Sequence, residues 1–269
     1  MVHWLIEENV FKCGMKLVLE LQKKQVPFLT CIYSHKIKKE YISFFDEEAC
    51  VIFHGSLRLA SQINREAPWT PGAYCNLDQF FCTYYYPIFG DKLLNSNYIM
   101  MPLGDLIRNK DFLFNSLNEH DHLFVRPNSG NKCFTGKIVS YTNWERNIDI
   151  FKIGADEQEL TVISAPKIIE KEWRFFVAEK KIITGSEYLP EQQAVVPERV
   201  VDFAEQMALY SYEPDPIWVL DICQLNNGAL KVLEVNSFSC SGWYNCDVGA
   251  IVEKANELAQ VEWNEIYCI

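Results

Sequence analysis

The first third of the chain alternates short apolar runs with an amphipathic segment, which is the pattern of βαβ units. His3–Glu7 and Pro27–Ser34 are typical of strands, and Lys12–Lys24 between them has apolar residues at helical spacing. A third apolar run, Cys50–His54, precedes a second short amphipathic segment. The pattern therefore predicts a small α/β domain with a parallel sheet, which we place over residues 1–96.

The pattern changes from about residue 97, where strand-like runs begin to occur in adjacent pairs. The segments that contain these pairs are His122–Tyr141, Leu160–Tyr188 and Ile217–Phe238. Helical periodicity is found over Glu198–Leu209 and Val248–Gln260. We therefore expect a second domain over residues 97–269, of the α+β class and rich in antiparallel strands.

The composition limits the classes of protein to which this chain can belong. It is 49% apolar and 23% charged, as expected of a folded globular chain. No run approaches the roughly 20 apolar residues that a membrane helix needs, and Glu7 and Glu8 stand where an export signal would have its apolar centre. The net charge of −11 opposes binding to nucleic acid or to anionic membranes. We expect a cytoplasmic protein with neither partner.

The ten cysteines do not form a recognisable disulfide or zinc pattern. No two of them are spaced as C-x-x-C, and several lie inside apolar runs such as FLTCIYS and VLDICQL. A free thiol in such a run behaves as a small apolar side chain. The spacing therefore favours reduced cysteines that bind no metal, in a reducing compartment.

The clearest chemical pattern lies in the last strand pair. Asn227-Gly228 is the preferred sequence of a two-residue type I′ turn, in which both residues take positive φ. If that turn forms, Asp221 lies directly opposite Glu234, and Asn236 follows on the same face. Both faces of the pair are otherwise apolar, so we expect the strands to be covered on both sides.

Two carboxylates opposed on a covered hairpin need a cation. They repel each other, and each loses hydration worth on the order of several kcal/mol. Two carboxylates and an amide oxygen form the oxygen set that suits magnesium bound with phosphates. The alternative is that one carboxylate pairs with a lysine or an arginine, or lies at an open sheet edge.

The segment FVRPNSGNKCFTGKIV is similar to a P-loop but does not match it. That motif needs four residues between its glycines and Ser or Thr after its lysine, whereas five residues separate Gly130 from Gly136 and an isoleucine follows Lys137. What remains is a glycine-containing loop between strands, with Arg126 and Lys132 in or beside it. Such a loop can close over phosphates as a lid, or it can be a solvated hairpin tip.

These stretches together resemble the ATP-grasp proteins, and most closely their divergent arginine-and-two-lysine clade. The similarity is carried, in order, by RPNSGNKCFTG, PKIIEKEWRFFV, TGSEY and DICQLNNGALKVLEVNSFSCSGWY. They fall between about residues 122 and 244. The resemblance implies an ATP-grasp fold, with two α+β subdomains that hold ATP, over residues 97–269. Residues 1–96 would then be a pre-ATP-grasp domain.

The resemblance also implies a role for each matching residue. Arg126 takes the place of a phosphate-contacting lysine, and its planar guanidinium offers bidentate contact instead of a point charge. Arg174 would face the γ-phosphate or a substrate carboxylate, so both arginines are expected to be catalytic. The residues expected to bind ATP are Arg126, Lys132, Lys167 and Glu172. Those that match the magnesium positions are Asp221, Glu234 and Asn236.

The implied activity is ATP- and magnesium-dependent ligation. A carboxylate would be activated as an acyl phosphate, from which an amine or a thiol displaces phosphate, and a peptide or protein is among the expected substrates. Two other functions stay open on the same site: a nucleotide-binding assembly factor or chaperone without ligase turnover, and a phosphotransferase. Release of ADP with and without candidate carboxylates and amines would distinguish the three.

Overall fold

The computed structural model describes residues 1–32, 42–117, 121–188 and 195–268. The last two residues of the predicted strand Pro27–Ser34 lie outside these ranges. The chain forms two compact units, each built from segments that are distant in sequence. The first unit comprises residues 1–76, 171–222 and 234–269, and the second comprises residues 77–170 and 223–233.

The N-terminal segment forms the predicted parallel sheet. Its strands are β1 (Val2–Glu7), β2 (Phe28–Cys31), β3 (Cys50–His54) and β4 (Thr70–Gly72), in the order β2-β1-β3-β4. Its helices are α1 (Gly14–Lys23) and α2 (Leu57–Glu66). The side chain of Ser56 accepts a hydrogen bond from Leu59 N, which caps the first turn of α2.

The second unit is built around an antiparallel sheet. In chain order its elements are α3 (Cys82–Phe89), β5 (Tyr98–Pro102), α4 (Leu103–Arg108), α5 (Lys110–Ser116), β6 (His122–Pro127), β7 (Lys137–Ser140), α6 (Trp144–Gly154) and β8 (Leu160–Ser164). The strand order is β5-β8-β6-β7, and every adjacent pair is antiparallel. The predicted pairing of strands within His122–Tyr141 is therefore confirmed.

The remaining elements form a third sheet and two helices. They are β9 (Ile169–Ala178), β10 (Lys181–Glu187), α7 (Glu198–Ala208), β11 (Ile217–Leu225), β12 (Leu230–Ser237) and α8 (Val248–Tyr267). The strand order is β10-β9-β11-β12, which makes β9 and β11 neighbours. Short 3₁₀ turns at Ile42–Phe44, Leu77–Phe80 and Gly90–Lys92 complete the described secondary structure.

Each unit has its own apolar core. In the first unit, Trp4 of β1, Phe176 of β9, Phe238 and Trp243 meet edge to face, and α8 packs against them through residues such as Ile251. The core of the second unit includes Leu106, Leu123, Val125, Trp144, Phe151 and Ile163. Among the described residues, no helix has the length and hydropathy of a membrane span.

Candidate functional site

The turn between β11 and β12 differs from the predicted one. Gly228 N donates to Leu225 O at 2.8 Å, and Leu225 N donates to Ala229 O at 2.9 Å. Gly228 has φ +81°, whereas Asn226 and Asn227 do not take positive φ. This is a three-residue loop, in which a type I turn is followed by a left-handed glycine. The predicted two-residue type I′ turn at Asn227-Gly228 is therefore wrong.

The three predicted magnesium ligands nevertheless lie on one face of the hairpin. If the residues of the two strands paired one to one from the observed turn outward, Asp221 and Glu234 would lie on opposite faces. Instead, the Nδ2 atom of Asn236 donates to Asp221 Oδ2 at 2.9 Å and to Glu234 Oε1 at 3.0 Å. One amide can reach both carboxylates only if all three side chains share a face, so the regular alternation is interrupted within the hairpin.

Asp221 also forms an ion pair with a residue of β9, the neighbouring strand. Arg174 Nε donates to Asp221 Oδ1 at 2.8 Å, and Arg174 Nη2 donates to Asp221 Oδ2 at 2.6 Å. Arg174 Nη1 donates to the carbonyl oxygen of Gly242 at 2.9 Å. The side chains of the pair are only 9% and 8% exposed. This is a buried, bidentate ion pair, the strongest geometry available to these two groups.

The ion pair places a positive charge beside Asp221, where the sequence predicted either magnesium or a basic side chain. Burial acts to lower the pKa of the Arg174 guanidinium, but the charge and hydrogen bonds of Asp221 raise that pKa above its ordinary value. Arg174 is therefore the cationic partner of Asp221, which is the alternative that the sequence left open. Magnesium coordination by Asp221, Glu234 and Asn236 stays a prediction.

Glu172 shares the electrostatic environment of this cluster. It lies two residues before Arg174 on β9 and is half-buried. Burial raises the pKa of its carboxyl group, the negative charges of Asp221 and Glu234 raise it further, and Arg174 lowers it. The structure therefore brings together Glu172, Arg174, Asp221, Glu234 and Asn236, all in the first unit.

Two tyrosines that were not among the predicted site residues lie beside Arg174. The guanidinium carbon of Arg174 lies 4.8 Å from the ring centroid of Tyr244, and this ring is 4.5 Å from that of Tyr188. Both tyrosines end stretches that carry the family resemblance, TGSEY and SFSCSGWY. Their place at the ends of those motifs was the available sequence signal.

The segment that follows β12, residues 238–243, is held by contacts to the backbone and is named here the post-strand segment. Ser241 Oγ donates to Ser237 O at 2.6 Å, and Gly55 N donates to Ser239 O at 2.9 Å. His54 Nε2 lies 3.0 Å from Ser241 O, and burial lowers the pKa of His54 to about 4. Because a carbonyl oxygen only accepts, Nε2 carries the proton of the neutral ring.

In the second unit, the loop over residues 128–136 joins β6 to β7. Phe134 is buried and stacks on Phe151 of α6 with ring centroids 4.3 Å apart. Asn128 is buried at the other end of the loop and binds the backbone of α3. Lys132 is exposed between these anchors, at φ +49°. The exposed tip of the predicted lid is therefore short.

The other predicted ATP-binding residues of the second unit lie on different elements. Arg126 is half-buried on β6, in register with Val162 of β8. Its positive charge opposes the increase in pKa that burial causes at Tyr85 and Tyr86. Lys167 is exposed between β8 and β9. The roles of Arg126, Lys132 and Lys167 stay predictions.

Comparison with known families identifies the chain. Residues 103–254 match family 3 of the arginine-and-two-lysine clade of ATP-grasp domains, and this match covers more than half of the chain. The chain belongs to that family. The resemblance seen in the sequence is thereby confirmed, as is the α+β class of this ATP-grasp protein.

Solved structures of ligases share its fold along nearly the whole chain. D-cycloserine synthetase DcsG is 14% identical with a TM-score of 0.59, covering 97% of this chain and 99% of that one. D-alanine–D-alanine ligase from Bacillus anthracis is 13% identical with a TM-score of 0.60, covering 98% and 99%. ATP-grasp ligase PsnB, complexed with a minimal precursor, is 9% identical with a TM-score of 0.59, covering 95% and 98%. No curated protein matches the sequence.

Proposed function

We propose that this ATP-grasp protein is an ATP- and magnesium-dependent ligase that joins a carboxylate to an amine or a thiol through an acyl phosphate. The observation that carries the proposal is the shared amide contact of Asn236 with Asp221 and Glu234, beside the buried guanidinium of Arg174. This set offers oxygen ligands and a fixed positive group on one face. Oxygen ligands for a metal ion and a positive group are both needed to bind a nucleoside triphosphate and to stabilise charge during phosphoryl transfer.

The donor set fits magnesium if the amide of Asn236 turns. In the structure its Nδ2 atom faces the two carboxylates, and its two hydrogens take the place that a cation would fill. A rotation of about 180° around the last side-chain bond would present Oδ1 instead. Asp221, Glu234 and Asn236 would then supply three oxygen ligands, as magnesium prefers. A bound magnesium would offset the charge of the ATP phosphates.

Arg174 would orient an anionic group in this site. Asp221 and Gly242 accept three of its five N–H groups, which leaves one hydrogen each on Nη1 and Nη2. Because the ion pair fixes the guanidinium plane, these hydrogens point in set directions. We propose that they bind the γ-phosphate or the substrate carboxylate, and that Glu172 contacts ATP beside them.

We also propose that the basic residues of the second unit bind ATP. Arg126 would bind phosphate through two parallel N–H groups, which a lysine cannot do. Lys132 would approach the phosphates from the loop tip, and Lys167 would contact the adenine side of the nucleotide. Closure of the loop would keep water away from the acyl phosphate, which water would otherwise hydrolyse.

A peptide or protein is the substrate class that we favour. The structural neighbours include three PsnB complexes: with a minimal precursor, with precursor peptide PsnA2 and AMPPNP, and with a phosphomimetic variant of the minimal precursor, Mg and ADP. We also propose the division into a pre-ATP-grasp domain over residues 1–96 and an ATP-grasp domain over residues 97–269. The start of the family match at residue 103 supports that boundary.

The test is ADP formation by the purified protein with ATP and magnesium, with and without a panel of carboxylates, amines and peptides. We expect ADP release that depends on both substrates, with a product lighter by one water than their sum. Glu234→Gln should lower it by roughly 100-fold or more, whereas Glu145→Gln, a change at an exposed glutamate on α6, should not. A stable phosphorylated product would indicate a phosphotransferase, and tight ATP binding without ADP an assembly factor; either result would refute the ligase.

A further inference from the structure

Two thiols of the first unit lie in contact although they are 165 positions apart in sequence. The Sγ atom of Cys240 lies 3.7 Å from the Sγ atom of Cys75 and donates a hydrogen bond to it. Cys75 is buried, and Cys240 is partly exposed. The two sulfurs are therefore adjacent, as a redox-active thiol pair requires.

The backbone on the Cys75 side of the contact is fixed. The side chain of Asn64 donates to Ala73 O and accepts from Ala73 N, both at 3.0 Å, and Cys75 N donates to Ala73 O at 2.8 Å. Cys240 belongs to the post-strand segment, where Gly55 binds the preceding residue. The approach of the two sulfurs is therefore set by the fold on both sides.

In the hydrogen bond between the two thiols, Cys240 is the donor and Cys75 is the acceptor. The hydrogen bond from Cys240 lowers the pKa of Cys75, against the opposing effect of burial, and Ser237 lowers it further. Burial raises the pKa of Cys240 well above its ordinary value. Of the two thiols, Cys75 is therefore the more readily deprotonated, and Cys240 is its hydrogen-bond donor.

We propose that Cys75 and Cys240 are a redox site that closes to a reversible disulfide and tethers the post-strand segment. With hydrogen peroxide as oxidant, the Cys75 thiolate attacks one peroxide oxygen, the O–O bond breaks, and Cys75 becomes a sulfenic acid. The Cys240 sulfur then displaces the hydroxyl group and forms the S–S bond. Two electrons pass from the sulfurs to the peroxide, and the two thiol protons leave in two waters.

Closure would act on the segment that holds the candidate site. A disulfide requires the sulfurs to be about 2.05 Å apart, so Cys75 and Cys240 must approach each other from 3.7 Å. The post-strand segment supplies the carbonyl oxygen of Gly242 to Arg174 and that of Ser241 to His54. The disulfide would thus restrain the backbone that positions Arg174, independently of what the site binds or catalyses.

The test uses the full-length protein and hydrogen peroxide in graded amounts, followed by alkylation and peptide mapping without reduction. We expect a linked pair of peptides that contain Cys75 and Cys240, lighter by two hydrogens than their sum and separated by dithiothreitol. Cys268→Ser, which removes the exposed thiol, should leave this product unchanged. Cys75→Ser and Cys240→Ser should each lack it. If both thiols stay open to alkylation at peroxide levels that oxidise Cys268, the redox site is refuted.

The tether has its own measurement, which does not depend on catalysis. In the linked protein, amide hydrogen exchange over residues 239–243 should slow relative to the reduced protein. Exchange over residues 128–136, in the other unit, should be the same in both forms. Cys75→Ser treated with the same peroxide should show no slowing. Equal exchange over residues 239–243 in the linked and reduced proteins would overturn the tether.

Discussion

The candidate residues of the two units differ in how firmly the protein holds them. In the first unit, Arg174, Asp221 and Asn236 are buried, and both Arg174 and Asn236 donate hydrogen bonds to Asp221. In the second unit, Lys132 and Lys167 are exposed and lie between secondary-structure elements. A buried charge network is set before any ligand arrives, whereas an exposed lysine gains its role only on binding. Removal of a charge from the buried ion pair should therefore reduce both stability and activity, whereas substitution of either exposed lysine should reduce activity alone.

The largest effect is expected at the buried ion pair. Asp221→Ala would leave the Arg174 guanidinium buried without its carboxylate, which costs about 3–5 kcal/mol of unfolding free energy. Urea unfolding should show this loss, and the double variant Arg174→Met, Asp221→Ala should recover most of it. Neither protein should form ADP. If the single variant were as stable as the wild type, the contrast between the two units would fail.

Glu234→Gln should separate function from stability within the same cluster. Glu234 is half-buried, and glutamine keeps its size and one acceptor oxygen, so we expect the unfolding free energy to change by less than about 1 kcal/mol. The loss of a ligand charge should lower ADP formation at fixed magnesium by roughly 100-fold or more. Magnesium titration of the ATPase rate checks this, with Glu145→Gln as control. An unchanged magnesium dependence would remove Glu234 from the metal set.

Lys132→Gln should weaken ATP binding without altering the fold. One charge-assisted hydrogen bond is worth about 1.5–3 kcal/mol, so KM for ATP should increase about tenfold or more while the urea midpoint stays the same. Because Lys132 is exposed, added salt should reduce the difference from the wild type. The matched variant Lys152→Gln, at an exposed position of α6, should behave as the wild type. A shifted urea midpoint would mean that the loop tip is structural.

The smallest effect is a pH dependence at Glu172. Its pKa is raised in the folded protein, by burial and by Asp221 and Glu234, so the folded state binds this proton more tightly than the unfolded state. The ionised carboxylate therefore destabilises the folded state. This destabilisation is absent below the ordinary glutamate pKa and grows as the pH rises through the raised pKa of the folded protein. Glu172→Gln should therefore gain stability relative to the wild type from acid to neutral pH, by urea unfolding. A constant difference would contradict the raised pKa.

Local patterns predicted much of the fold, and contacts between distant residues supplied what was missed. Alternation and apolar runs were enough for β1, β3 and the paired strands, because those patterns depend on neighbouring residues. The strand β4 lacks an apolar run that would predict it, since Pro71 and Gly72 favour turns but also fit a sheet edge. The loop that ends at Gly228 is one residue longer than predicted. Both loop lengths place a glycine with positive φ at this position, so the sequence did not distinguish them.

The sequence argument placed Asp221, Glu234 and Asn236 on one face, but it used a two-residue turn that does not form. The structure brings the three side chains together through an interruption of the strand alternation, which the sequence did not indicate. The pairing of Arg174 with Asp221 depends on β9 lying next to β11 in the sheet, and the two residues are 47 positions apart. No periodicity in the sequence contains that adjacency.

The three-segment composition of the first unit has a consequence for biosynthesis. Trp4 donates from Nε1 to Asn256 at 2.8 Å, and Cys50 Sγ contacts Ala259 O, so β1 and β3 need partners from α8, which is translated after the other elements of the unit. Most of the second unit, residues 77–170, leaves the ribosome before that helix does. A nascent chain would thus carry an N-terminal sheet with one apolar face uncovered until α8 is made, and exposed apolar surface invites association with other chains.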